Sequence, residues 1–181
     1  EPTFIAQMEI HYVDGTTSFI SSNTDWVSSP SATTFSCIYG GEDYDARLEQ
    51  SGWDTANFTL SNLWDPALKA LAPKGKLRAQ KTAPLKTMKA FAPIEIKENK
   101  PNVFVADLGQ NFSGWVKLRI KGLSGATVKL TPAELLNEDG SPNQTWTGSP
   151  YEYNYTLKGV GVETWNPRFT YYGFRYVQIE G

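Results

Sequence analysis

One cysteine and one histidine among 181 residues close off several kinds of chemistry at once. Cys37 has no partner for an internal disulfide. It lies in the apolar run Phe35-Ser36-Cys37-Ile38-Tyr39 and reads as a small buried hydrophobe. A lone thiol and a lone imidazole, distant in sequence, assemble neither a zinc site nor a nucleophile–base pair. His11 alternates outward from Met8, Ile10 and Tyr12 and reads as a surface residue. An excess of positive charge is missing too. Lys and Arg number 17 against 19 Asp and Glu, a net charge of -2 with no basic stripe, which argues against a nucleic-acid partner. No apolar run approaches the ~20 residues of a membrane helix. The first residues, Glu1-Pro2-Thr3, include neither Met nor an apolar leader and read as a start inside a longer polypeptide. Helical periodicity is almost absent. Asp65 to Leu71 predicts a turn or two, with Pro66 in the first position after an Asp cap and Pro73 and Gly75 stopping it.

What the chain has in quantity is aromatic side chains: six Trp, nine Tyr and nine Phe, 13% of residues. Aromatics fill the cores of large β-sandwiches and also form stacking platforms for sugars, and composition does not separate the two. Period-two alternation runs through most segments. Phe4, Ala6, Met8, Ile10 and Tyr12 share a face, Asp14-Gly15 is a two-residue hairpin signal, and Thr16 to Ile20 returns. Phe35 to Tyr39 predicts a strand. In Trp115 to Lys121, Val116, Leu118 and Ile120 oppose Lys117, Arg119 and Lys121. Tyr151, Tyr153, Tyr155 and Leu157 alternate with Glu152, Asn154, Thr156 and Lys158, and Phe174 to Glu180 predicts the last strand. The expected fold is all-β, an antiparallel jelly-roll β-sandwich of the galactose-binding-domain type with little helix. One domain over residues 1–181 is expected, with residues 97–101 as an alternative boundary.

The chemistry-bearing residues concentrate in Tyr39-Gly40-Gly41-Glu42-Asp43-Tyr44-Asp45-Ala46-Arg47. So many charges predict a loop rather than a strand interior. Carboxylates there accept hydrogen bonds from vicinal hydroxyls or coordinate a hard cation, and Arg47 donates to a hydroxyl or grips a carboxylate. The competing reading is an internal network in which Arg47 pairs with Glu42 or Asp45 and orders the loop. In an extended segment Asp43 and Asp45 share one side, and Glu42 and Tyr44 the other. Trp53, after Gly52, and Trp146, in a polar loop, are candidate stacking platforms; Trp64 is a similar case, and Trp26, Trp115 and Trp165 read as core or rim. Asn111, between strands, either binds a hydroxyl or satisfies its own turn. Asn57, Asn111, Asn143 and Asn154 each begin an Asn-X-Ser/Thr triplet. Neighbouring acids in one exposed segment do not make a glycosidase pair, which needs two carboxyl groups with pKa values pushed apart.

The run Ile38 to Glu49 followed by Gly52-Trp53-Asp54 resembles the N-terminal region of bacterial α-L-rhamnosidases, glycoside hydrolase family 78. Asp107 to Val116, Ala133 to Gly140 and Phe169 to Val177 are similar to three further blocks of those enzymes, in the same order. The resemblance implies a non-catalytic β-sandwich from such an enzyme, whose catalysis belongs to a separate helical barrel; no catalytic residue carries over. Some relatives bind terminal L-rhamnose on such a sandwich, in certain cases through calcium (carbohydrate-binding module family 67). Others keep the sandwich without known sugar binding. The expectations are therefore a carbohydrate-binding module using Glu42, Asp43, Asp45, Arg47, Trp53, Asn111 and Trp146, with calcium as its one candidate cofactor on Asp43 and Asp45, or a structural domain packed against the barrel. A rhamnose-containing saccharide and the barrel of the same polypeptide are the implied partners, and the implied location is periplasmic or secreted.

Overall fold

The computed structural model describes residues 3–71, 75–76, 78–147 and 150–181. Its strands are β1 (Gln7–His11), β2 (Thr17–Ser21), β3 (Val27–Ser28), β4 (Thr33–Cys37), β5 (Gly41–Asp45), β6 (Asp65–Pro66), β7 (Glu95–Lys100) and β8 (Val103–Gly114). They continue with β9 (Leu118–Ile120), β10 (Thr127–Ala133), β11 (Leu135–Leu136), β12 (Pro142–Asn143), β13 (Glu152–Thr156), β14 (Glu163–Trp165) and β15 (Tyr172–Glu180). A 3-10 turn, Ala46–Leu48, is the sole helical element among the described residues. The helical turns expected over Asp65 to Leu71 do not form. Asp65 and Pro66 instead pair with Ser28 and Val27, where proline sits at an edge and its missing N–H costs nothing.

The chain divides into two compact units, Glu1–Pro30 with Gly52–Pro84, and Ser31–Ser51 with Leu85–Gly181. In the first, β1 and β2 form the hairpin that Asp14-Gly15 predicts. Gly15 takes a left-handed φ of +83°, and the Asp14 carboxylate accepts from the Thr16 N–H at 2.9 Å. The short pair β3–β6 is its other sheet.

The second unit is built on a seven-stranded sheet in the order β4-β5-β13-β10-β15-β8-β7. Tyr151, Tyr153, Tyr155 and Leu157 are all buried, as their alternation predicts. They meet Val128, Leu130, Phe174 and Val177 from neighbouring strands in one core. Over that face lies the β9–β14 pair, contributing Leu118, Ile120 and buried Trp165, so the unit is a two-layered β-sandwich. Each large apolar side chain withdrawn from water there stabilises the fold by about 1.5–3 kcal/mol before entropy is counted. Aromatic packing orders the interior: the Tyr44 and Tyr155 rings stack at 5.8 Å, and Trp165 lies 5.4 Å from Tyr155. The buried Trp165 Nε1–H has no hydrogen-bond partner among the described residues.

The expected antiparallel β-sandwich is found, and one further expectation is corrected. The pairing that departs from antiparallel is that of β5, which runs parallel to β13. The charged run from Gly41 to Asp45 is that strand, not a loop. A strand tolerates the charges because their alternation sends Glu42 inward to a built acceptor position and Asp43 and Asp45 outward.

Candidate functional site

On the inward side of β5, Glu42 is completely buried. Its carboxylate accepts from the backbone N–H of Arg168 at 3.1 Å and of Phe169 at 3.2 Å. It therefore fastens the segment before β15 to the sheet and offers nothing to a ligand outside. Beside it, Gly41 takes a φ of +97° and lies with its backbone close against Glu152 of β13. Tyr44, also inward, reaches past the core to donate to Glu49 at 3.0 Å, and Lys158 holds the other Glu49 oxygen at 2.5 Å. Burial, then the hydrogen bond to Glu49, pushes the Tyr44 hydroxyl up to about 12.

The outward side carries Asp43 and Asp45. Asp43 accepts from the Asn154 side-chain amide at 2.7 Å, across the parallel β5–β13 register. Asp45 ends the strand and caps the 3-10 turn, accepting from the Arg47 N–H at 3.0 Å. The same carboxylate is gripped by the Arg47 guanidinium in a fork, at 2.9 Å to Oδ1 and 2.7 Å to Oδ2. These hydrogen bonds hold the Asp45 carboxyl below the usual carboxylate range. Between these groups lies a shallow, open groove of about 270 Å³ lined by Thr34, Asp43, Tyr44, Asp45, Asn154 and Thr156. It presents carboxylate, amide and hydroxyl groups, a set suited to exchanging hydrogen bonds with a hydroxylated molecule.

The residues expected to share a site do not all gather here. Asn111 lies on β8, four strand positions from β5, about 19 Å across the sheet at ~4.8 Å per step. Its amide donates to Glu134 at 3.1 Å. Trp146 is 93% exposed in the loop that precedes β13, tied down by Gln144 bonds to Pro132 and Tyr151. The groove lies toward the opposite end of that strand, so Trp146 is no wall of it. Trp53 belongs to the first unit, where it is exposed in a turn with Gly52 at φ +79°. Arg47 reaches Asp45 only because the 3-10 turn folds it back. Asn154, Thr156 and Thr34 were not anticipated as site residues. The outward phase of Asn154 and Thr156 was visible in the Tyr151–Leu157 alternation, but the meeting of Asn154 with Asp43, 111 residues away, was not.

At the expected calcium pair, Asp43 and Asp45 both already have partners within the chain. A hard cation takes six or more oxygen ligands. Both Asp45 oxygens are occupied by a guanidinium, and a cation beside them faces that positive charge. Among the described residues no cluster of three or more acidic, His or Cys side chains is arranged to hold a metal.

Residues 1–89 match the α-L-rhamnosidase N-terminal domain, and residues 97–181 match the bacterial α-L-rhamnosidase concanavalin-like domain. Over 99% of its length the chain is 39% identical to an α-L-rhamnosidase of Streptomyces avermitilis and 35% identical to one of Formosa agariphila. It spans only 18% and 19% of those two relatives. Among solved structures, α-L-rhamnosidase from Dictyoglumus thermophilum superposes on 98% of the chain with a TM-score of 0.91 at 36% identity; 20% of that protein is covered. The Streptomyces avermitilis α-L-rhamnosidase complexed with L-rhamnose superposes on 97% with a TM-score of 0.91 at 40% identity; 17% of it is covered. The two domain matches adjoin and leave only the short stretch between them unmatched, and so the chain belongs to the bacterial α-L-rhamnosidase family, through its N-terminal and concanavalin-like domains.

Proposed function

We propose that this chain is a non-catalytic, structural part of an α-L-rhamnosidase that supports the rest of the enzyme. One observation carries the reading: every carboxylate of β5 is already engaged by the chain's own fold. Glu42 is sealed under backbone donors, Asp43 is bonded to Asn154, and Asp45 is locked to Arg47. Asp43 and Asp45 lie two residues apart on one strand face, about 6.7 Å by strand rise, which is within glycosidase spacing. A general acid, however, needs a raised pKa, and Asp45 is held down by its guanidinium. The test is hydrolysis of an aryl α-L-rhamnoside. The 181-residue chain releases no rhamnose, and measurable turnover by it overturns the reading.

A second reading, sugar recognition, is favoured by the groove between β5 and β13. Its acceptors and hydroxyls match the needs of a deoxyhexose, and the fork from Arg47 holds the Asp45 carboxylate in place beside them. Titration calorimetry with L-rhamnose decides it. Heat at millimolar sugar, abolished by Asp43→Asn or Asn154→Ala and unchanged by a calcium chelator, supports it; no heat ends it.

A further inference from the structure

In the first unit no described residue is buried. Regular strands form there, yet the side chains that normally stabilise strands remain in water. Hairpins of two strands are marginal in water without a covered apolar face. The β1–β2 hairpin has such a face. Its register places Met8 opposite Ile20 and Ile10 opposite Ser18, with Tyr12 continuing the row. Met8 is 55% and Ile20 45% exposed. The reverse face carries Gln7, Glu9, His11, Thr17 and Ser21, with Phe19 as its one apolar member, and a Glu9–His11 contact of 3.3 Å. The hairpin is thus amphipathic with its greasy side uncovered.

We infer that the Met8–Ile10–Ile20 face is a docking surface for an extended, apolar-patterned strand of the same polypeptide from outside these 181 residues. The inference rests on the structural reading proposed above and names its partner. Length argues for that occupant. The relatives match nearly all of this chain, yet it makes up only 17–20% of them, so their chains hold ample sequence to supply a strand. A tethered segment meets the face at a high effective concentration without a separate binding event. Sheet geometry argues for a strand: an apolar row of period two on one face of a sheet is complemented by the inward-facing row of a second layer, as the two sheets of a sandwich pack. The row's two hydroxyls, Tyr12 and Ser18, are bonded to each other at 3.1 Å.

Hydrogen–deuterium exchange on the full-length enzyme and on the 181-residue chain tests it, both at low concentration. Amides of Gln7–His11 and Thr17–Ser21 exchange about 100-fold more slowly in the full-length enzyme. In the full-length enzyme Ile20→Asp returns those amides to the fast rate while the β8–β15 amides stay protected, showing the rest is folded. Thr17→Asp, on the reverse face, changes neither. Equal exchange in the two chains overturns the inference, as does an Ile20→Asp enzyme whose hairpin stays protected. Protection in the short chain that grows with concentration alongside a dimer in sedimentation makes a second copy the occupant and also overturns it. Rhamnoside turnover by the short chain overturns the structural reading instead, whatever the exchange rates.

Discussion

Gly41 passes so close under the carbonyl of Glu152 that a Cβ on it would lie 1.7 Å from that oxygen. Its φ is +97°, a conformation that side chains other than hydrogen resist. This crossing joins β5 to β13, and with it a segment matched by the N-terminal domain family to a sheet matched mainly by the concanavalin-like one. Gly41→Ala is expected to destabilise the second unit by about 2–5 kcal/mol, combining backbone strain with a forced displacement of β13. Urea unfolding followed by tryptophan fluorescence measures it. An unchanged midpoint would mean that the crossing is not needed.

Glu42 gives a second handle on the same junction. Replacing it with alanine leaves the Arg168 and Phe169 N–H groups without their acceptor in a buried setting. A loss of about 2–4 kcal/mol follows. Glu42→Gln keeps one acceptor oxygen and should fall between alanine and the native chain. Equal midpoints for all three chains would show that solvent replaces the carboxylate freely.

Acid should weaken the fold in a defined way. Burial pushes the Glu163 carboxyl up, but the N–H groups of Lys158, Gly159 and Val160 and the Tyr155 hydroxyl pull it down by more, so it lies below its ordinary value. Asp107 lies low chiefly through the Arg175 guanidinium, bonded at 2.8 Å to each oxygen. A folded-state pKa below the unfolded one contributes stability above the unfolded pKa, and that contribution is lost as pH falls through the folded one. The urea midpoint should hold steady near neutrality and fall from about pH 5 downward. Glu163→Gln should flatten that fall. A midpoint that rises on acidification contradicts the assignment.

Calcium is expected to leave the thermal midpoint unchanged. Asp45 meets a guanidinium rather than vacant space, and Asp43 already accepts from Asn154. Differential scanning calorimetry with millimolar calcium and with chelator checks this. A calcium-dependent rise of several degrees that disappears in Asp43→Asn would restore the metal.

The alternation Tyr151, Tyr153, Tyr155, Leu157 announced the core strand because burial on one sheet face imposes a period of two whatever the partners are. The Asp14-Gly15 turn was readable for an equally local reason. Glu42 was not: its charge suggested exposure, and only the approach of Arg168 and Phe169 makes a buried carboxylate tolerable. Asp65-Pro66 has the letters of a helix start, yet pairing with β3 prevailed.

By itself the sequence determined the all-β class, the inward and outward phase of its strands and the family, because these depend on local period and residue order. Tertiary structure decided what the charged segment does. A parallel pairing between residues more than a hundred positions apart turned an apparent ligand loop into a strand. Its two sides acquired opposite roles, Glu42 in the joint and Asp43 beside Asn154 in the groove. Long-range pairings of that kind leave no trace in neighbouring residues, since the acceptor and its donors meet only after the chain has closed on itself.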